Sequence, residues 1–236
     1  MLNIDTIVYQ LPIEIDIDKI LAESTHLISK CRYASKLPAQ DAAVSISVTG
    51  SEKTPLDHWY DYNTGAMGVS KDHITGEQVT KDWENYTLGF PGAYREIDSY
   101  YKNGMPDRDL IQWHPDIVDS EMFRFKDRIA SFFNIDNNLR CRLSFINGKW
   151  NIAKHSDPHT PWRVHVNLKS GPGTYWKFHD IETNETITWH QPAGSVWLIR
   201  TGNIQHEVVV PHGESRLQIF YHIWERNLGP NYHQIA

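Results

Sequence analysis

The chain has 236 residues, 40% hydrophobic and 22% charged, which is enough for one large domain with its own core or for two small ones. A formal charge of −6 provides no overall pull toward nucleic acid or an anionic membrane. Two cysteines, Cys31 and Cys141, are too few and too far apart for a disulfide framework or a cysteine zinc site. With no apolar run of about 18 residues and no basic-then-apolar leader, the expectation is a cytoplasmic protein without a membrane partner.

In chain order, residues 3–15 alternate as a strand would. Residues 16–30 place Ile20, Leu21, His26, Leu27 and Ile28 on one face of an amphipathic helix. Residues 41–50 read as a strand ending at Gly50. Residues 51–117, rich in Gly, Pro, Asp, Asn and aromatics, read as long loops with short strands; HWYDYN (58–63) and Trp83 either cover a site or pack on the body of the protein. Residues 118–133 read as a helix with Asp119 or Ser120 as N-cap. From residue 139 onward come short strands separated by turn signals. LRCRLSFI and KWNIAKH, joined at Asn147-Gly148, predict a hairpin. PWRVHVNL, TYWKFHDI, ETITWH, GSVWLIR, HEVVVP and RLQIFYHIW follow at intervals suited to an all-β barrel or double-sheet sandwich. No linker divides the chain, so one domain is expected over 1–236, with a helix- and loop-rich part (1–138) packed on a β core (139–226).

Within the core, KHSDPHTPWRVHVNL (154–168) holds three histidines, an aspartate and an arginine. Residues i and i+2 of an extended strand share a face, so His155 and Asp157 can point at one ion. His206, opening a later strand, supplies a third ligand. Two histidines and one carboxylate form a facial set with open positions, which suits non-heme Fe(II). Arg216 lies ten positions after His206, and PHGES between them reads as a hairpin turn that would set the two side by side. A buried guanidinium beside a metal needs an anion, and its planar fork suits a carboxylate. The alternative for Arg216 is a surface pair with Glu214. In PWRVHVNL, Trp162, Val164, Val166 and Leu168 form an apolar face, and Arg163, His165 and Asn167 form a polar one that would line the cavity. His165 can equally be a satisfied structural histidine, and His159 reads as a loop residue.

Taken together, HSD (155–157), RVHVNL (163–168), GSVWLIR (194–200), His206 and Arg216 resemble the aspartyl/asparaginyl β-hydroxylase and cis-proline 3-hydroxylase group of Fe(II)- and 2-oxoglutarate-dependent oxygenases. The resemblance covers roughly residues 139–224. It implies a mostly β, α+β architecture: a double-stranded β-helix (jelly-roll, cupin-like) with flanking N-terminal helices. It also implies Fe(II) on His155, Asp157 and His206, with O2 and 2-oxoglutarate as cosubstrates. Arg216 would then pair with the distal carboxylate of 2-oxoglutarate, aided by Ser144, Arg163 and His165. The implied reaction hydroxylates a C–H bond in a free amino acid or an amino-acid side chain, releasing succinate and CO2. Arg142 and Arg140, on the strand face of Ser144, could hold a substrate carboxylate or simply reach solvent. The main rival is a cupin-like metal barrel, isomerase or binding module, that does not use 2-oxoglutarate. A barrel without turnover and a nucleic-acid demethylase are further rivals; the complete ligand set weighs against the first and the acidic charge against the second.

Overall fold

The computed structural model describes residues 2–30, 42–50, 70–71, 78–79, 111–147, 152–157, 161–180 and 182–224. At the N-terminus the expected strand is shorter than its alternation suggests. Asn3 accepts a hydrogen bond from the Asp5 N–H and caps a 3-10 turn over Ile4–Thr6, so only Val8–Gln10 (β1) is extended. Helix α1 spans Ile17–Lys30. It buries Ile20, Ser24 and Leu27, whereas His26, counted above on its apolar face, is exposed. The 41–50 segment bends at Val48 into β2 (Ala42–Ser47) and β3 (Thr49–Gly50). Among the described residues of 51–117 are three two-residue strands, β4 (Ser70–Lys71), β5 (Gln78–Val79) and β6 (Gln112–Trp113). HWYDYN, Trp83, His159 and Gly148 lie outside the described residues.

Helix α2 (Glu121–Phe133) starts where Ser120 accepts from the Phe123 N–H, as an N-cap should. The carboxylate of Glu23 on α1 accepts from the N–H groups of Glu121 and Met122, tying the two helices together. No helix among the described residues is long and apolar enough to cross a membrane.

Eight strands follow: β7 (Arg140–Asn147), β8 (Ile152–His155), β9 (Trp162–Ser170), β10 (Tyr175–His179), β11 (Thr186–Trp189), β12 (Ser195–Arg200), β13 (Gln205–Val209) and β14 (Ser215–Ile223). They lie in two sheets, ordered β1-β12-β9-β14-β7-β2 and β11-β10-β13-β8. Apart from the β10–β11 hairpin, the core strands alternate between the sheets along the chain, and all pairs are antiparallel. This is a double-stranded β-helix, the jelly roll.

The alternation corrects two expectations. β7 pairs with β14 and β2, and β8 pairs with β13, so the two are not a hairpin. Likewise β13 and β14 belong to different sheets, so PHGES crosses the barrel instead of setting Arg216 beside His206 on a neighbouring strand. Period-2 patterning reveals faces, but the choice of partner strand depends on packing of the two sheets as a whole.

The large sheet has two unlike faces. Cys141, Leu143, Val164, Val166, Ile219 and Tyr221 pack outward on Ile20, Leu27, Met122, Phe125 and Ile129 of the helices. Tyr221 donates its hydroxyl to the Met122 carbonyl, which fixes the odd-numbered face of β14 toward α2. The residues between them therefore face the barrel interior, and they are largely polar: Arg140, Arg142, Ser144, Arg163, His165, Asn167, Arg216, Gln218 and His222.

Candidate metal centre

His155 and His206 face each other directly across the β8–β13 ladder, their ring centroids 4.4 Å apart. β8 ends at His155, so Asp157 is not placed by strand alternation as expected. Its backbone N–H donates to the Thr201 carbonyl, and the Thr201 and Gly202 N–H groups donate to the Pro161 carbonyl. Gly202 is required there, because a Cβ would meet Pro161 Cα at 2.7 Å. The carboxylate that results faces both imidazoles. Asp157 Oδ1 lies 3.8 Å from His155 Nε2, and Oδ2 lies 3.4 Å from His206 Nε2. One ligand atom from each residue lies within 4.8 Å of the others.

This donor set fits a divalent ion. Two ligands each about 2.1 Å from an ion and at right angles lie about 3.0 Å apart, so the two aspartate–histidine separations need to contract by less than about 1 Å and the widest pair by less than about 2 Å. His206 Nδ1–H donates to the Ile204 carbonyl at 3.1 Å, which leaves the Nε2 lone pair aimed at the carboxylate. Two acceptors facing one another call for a cation between them. Burial works to raise the Asp157 carboxyl, but the Arg163 guanidinium above all outweighs it and holds the group well below the usual carboxylate range.

Arg163 therefore stands elsewhere than beside Arg216. Its Nη1 is 2.7 Å from Asp157 Oδ2, where it orients that carboxylate. Arg216 is 1% exposed, and among the described residues no carboxylate pairs with it. Glu214, its alternative partner, instead accepts from the Gly173 N–H and the Thr174 hydroxyl. Arg216 Nη2 donates to Gln191 Oε1 at 3.2 Å, and its Cζ lies 4.7 Å from the Trp176 ring centre. Its Nε and Nη1 have no hydrogen-bond partner among the described residues, and neither has Ser144 Oγ or His165 Nε2. Burial pushes Arg216 down to about 9, so it remains a cation at neutral pH. His165 donates through Nδ1 to Gln218 Oε1, and burial, with Arg216 and Arg163 nearby, keeps its ring neutral.

The Trp176 ring joins the two parts of the site. It lies 5.7 Å from the His206 ring and 5.1 Å from the His165 ring, with Arg216 against it. The barrel thus holds a three-ligand cluster and a guanidinium that no described carboxylate neutralises around one indole. Trp176, Gln191 and His222 were not singled out from sequence. Trp176 and His222 each continue an alternating strand face, in TYWKFH and RLQIFYH, so that signal was present. Gln191 lies in the turn before Gly194, whose φ of 74° admits few other residues, and it carries no periodic signal.

No protein-family model matches the chain, and no match is found among curated proteins. Similar solved structures include a prolyl-4-hydroxylase from Pseudomonas putida, 12% identical, covering 93% of this chain and 92% of that one, with a TM-score of 0.46. Another is an oxidoreductase of the 2OG-Fe(II) oxygenase family from Burkholderia pseudomallei, at 14% identity, with coverages of 87% and 79% and a TM-score of 0.39. A cupin domain from Bordetella pertussis is 15% identical, with coverages of 36% and 80% and a TM-score of 0.29. These likenesses are distant, and it is the strand order that assigns the jelly roll.

Proposed function

We propose that the chain is an Fe(II)- and 2-oxoglutarate-dependent oxygenase that hydroxylates a C–H bond of an amino acid or amino-acid side chain. One observation supports this above the others: the barrel that brings His155, Asp157 and His206 together also buries Arg216 with no carboxylate paired to it among the described residues. A dicarboxylic acid that reaches from the metal to the guanidinium satisfies both.

In this reading His155, Asp157 and His206 hold Fe(II), and Arg163 and the Ile204 carbonyl orient two of those ligands. Bound Fe(II), with 2-oxoglutarate and O2, supplies the oxidant for hydroxylation and releases succinate and CO2. Arg216 pairs with the distal carboxylate through Nε and Nη1, the donors that Gln191 leaves unused. Ser144 donates its hydroxyl to the same carboxylate. Rotating the Gln218 amide moves the His165 ring proton to Nε2, where it donates to that anion as well. A metal barrel that made no use of 2-oxoglutarate would have no reason to bury Arg216, and this weighs against the cupin-like alternative.

The test is a panel of free amino acids and short peptides incubated with Fe(II), 2-oxoglutarate and O2. Succinate formation coupled to a mass gain of one oxygen in one member of the panel is expected. Metal-dependent chemistry that proceeds without consuming 2-oxoglutarate would favour the cupin-like alternative instead.

A further inference from the structure

A chain of aromatic rings leads from the metal cluster toward the surface. The Trp176 ring centre lies 5.7 Å from that of His206, and Phe178 stacks nearly parallel on Trp176, at 5.8 Å and 6°. Phe178 is 6.4 Å from Trp189, and Trp189 meets Trp197 edge-on at 4.9 Å. Trp176 and Trp189 are also register partners across β10 and β11, so their indoles are neighbours on one sheet face. These separations are those of aromatic rings in contact. Exposure changes along the chain: Trp176 and Phe178 are buried, whereas Trp189 and Trp197 are half-buried.

The two ends of the chain differ in what they can do with a proton. Indole is among the side chains that give up one electron most easily, and once oxidised it becomes an acid at its N–H. The Trp176 N–H is buried and has no hydrogen-bond partner among the described residues, so deprotonation does not trap an electron vacancy there. Trp197 Nε1–H donates to Ser195 Oγ at 2.9 Å, and the half-buried Ser195 donates in turn to the carbonyl of the exposed Pro192. A proton leaving Trp197 therefore passes through a hydroxyl to water. A vacancy formed at Trp176 is driven outward and settles at Trp197. Phe178 is much harder to oxidise; it packs the indoles and is passed over.

We propose that Trp176, Trp189 and Trp197 form an electron relay that discharges the oxidant of the metal centre when no substrate is in place. The inference rests on the reading that the centre activates O2 with 2-oxoglutarate, and it adds a protective activity to that reaction. In the balance, 2-oxoglutarate and O2, with two electrons and two protons, give succinate, CO2 and water. The electrons leave through Trp176, and each is replaced from Trp197 by way of Trp189. A thiol in solution restores Trp197, two thiols giving one disulfide and the two protons. Without a thiol, Trp197 gives up both electrons itself, adds water and loses two protons, which leaves one oxygen on its ring.

The test uses the full chain without substrate and reads, by peptide mass mapping, which tryptophan gains oxygen. One arm supplies Fe(II), 2-oxoglutarate and O2. The other supplies Fe(II) and hydrogen peroxide, which forms an oxidant at the metal with no 2-oxoglutarate present. Each is compared with the metal-free chain. Oxygen should collect on Trp197 in excess of Trp176, although Trp176 is the nearer to the metal. Glutathione added to the first arm should suppress it and be converted to its disulfide. In Trp189→Phe, which keeps an aromatic ring at that place, oxygen on Trp197 should fall to the metal-free level and appear on Trp176, with Fe(II) binding unchanged. Oxygen confined to Trp176 in the parent protein, or Trp197 oxidised equally in the variant, overturns the relay. Should Trp189→Phe fail to fold, Trp197→Phe decides the matter: oxygen should then collect on Trp189, and its absence there overturns the proposal. If peroxide oxidises Trp197 through Trp189 and no succinate forms in the first arm, the functional reading fails and the relay stands. Succinate without metal-dependent oxygen on Trp197 removes the relay alone, and a chain that binds no Fe(II) overturns both.

Discussion

Replacing Arg216 by Met separates a structural arginine from one kept for a ligand. Burial lowers the affinity of Arg216 for its proton to a pKa of about 9. At about 1.4 kcal/mol per tenfold, this corresponds to roughly 5 kcal/mol of disfavoured charge in the ligand-free chain. Against that stand the hydrogen bond to Gln191, worth about 2 kcal/mol, and the contact with Trp176, also worth about 2 kcal/mol when desolvated. These terms nearly cancel, so without ligand the variant should unfold within a few degrees of the parent protein. Binding should change far more: losing a charge-assisted pair of about 1.5–3 kcal/mol weakens 2-oxoglutarate by roughly 10- to 150-fold. Thermal unfolding with and without 2-oxoglutarate, in the presence of Mn(II), reads both effects. The ligand should raise the Tm of the parent protein and leave that of the variant almost unchanged. A variant that is several degrees less stable without ligand, yet binds 2-oxoglutarate normally, would show that Arg216 is held by an internal partner and would refute the reasoning.

Gln191→Leu removes the acceptor that holds Arg216 Nη2 and the donor that reaches the His165 carbonyl. It should raise the 2-oxoglutarate requirement several-fold while leaving metal stoichiometry at one per chain, and a loss of metal instead would contradict this placement. Two buried rings, His165 and His222, are held neutral in the fold, burial being the main cause for each. The unfolded chain takes up protons on them below about pH 6.5, so their contribution is fully present above that pH and is lost as the pH falls toward the depressed folded values. Stability by urea midpoint should therefore rise between pH 5 and 7, by up to about 1.4 kcal/mol per pH unit for each ring. His222→Phe should flatten that rise by one ring's share, and an unchanged slope would mean that His222 does protonate in the fold. Asp157 acts in a separate window. Its lowered carboxyl stabilises the fold above about pH 4, and that contribution is lost on further acidification.

The eight-strand core was legible in the sequence because each strand carries its own alternation, and PWRVHVNL divides in the structure as its pattern reads: Val164 and Val166 pack outward, and Arg163 and His165 face in. His155 and His206 were legible as well, since they occupy sheet positions that face one another, whereas Asp157 lies beyond the end of β8 and is brought to them by its loop and not by the alternation that singled it out. What alternation could not supply was which strands pair. Asn147-Gly148 and PHGES both look like hairpin turns, yet both lead from one sheet to the other, because the partners of β7 and β13 are set by long-range packing. For the same reason the pairing of Arg163 with Asp157 was hidden: it depends on a loop anchored by Thr201, which is far from both in sequence. The start of the chain was misread because local capping by Asn3 favours a 3-10 turn over a strand.

The most direct test of the account is metal binding itself. Mn(II) or anaerobic Fe(II) titrated into the apoprotein should bind at one ion per chain and tighten when 2-oxoglutarate is added, and His155→Ala and His206→Ala should each abolish that binding and with it the formation of succinate. Undiminished binding of one ion per chain in the double variant, or no binding by the parent protein at millimolar metal, would contradict it.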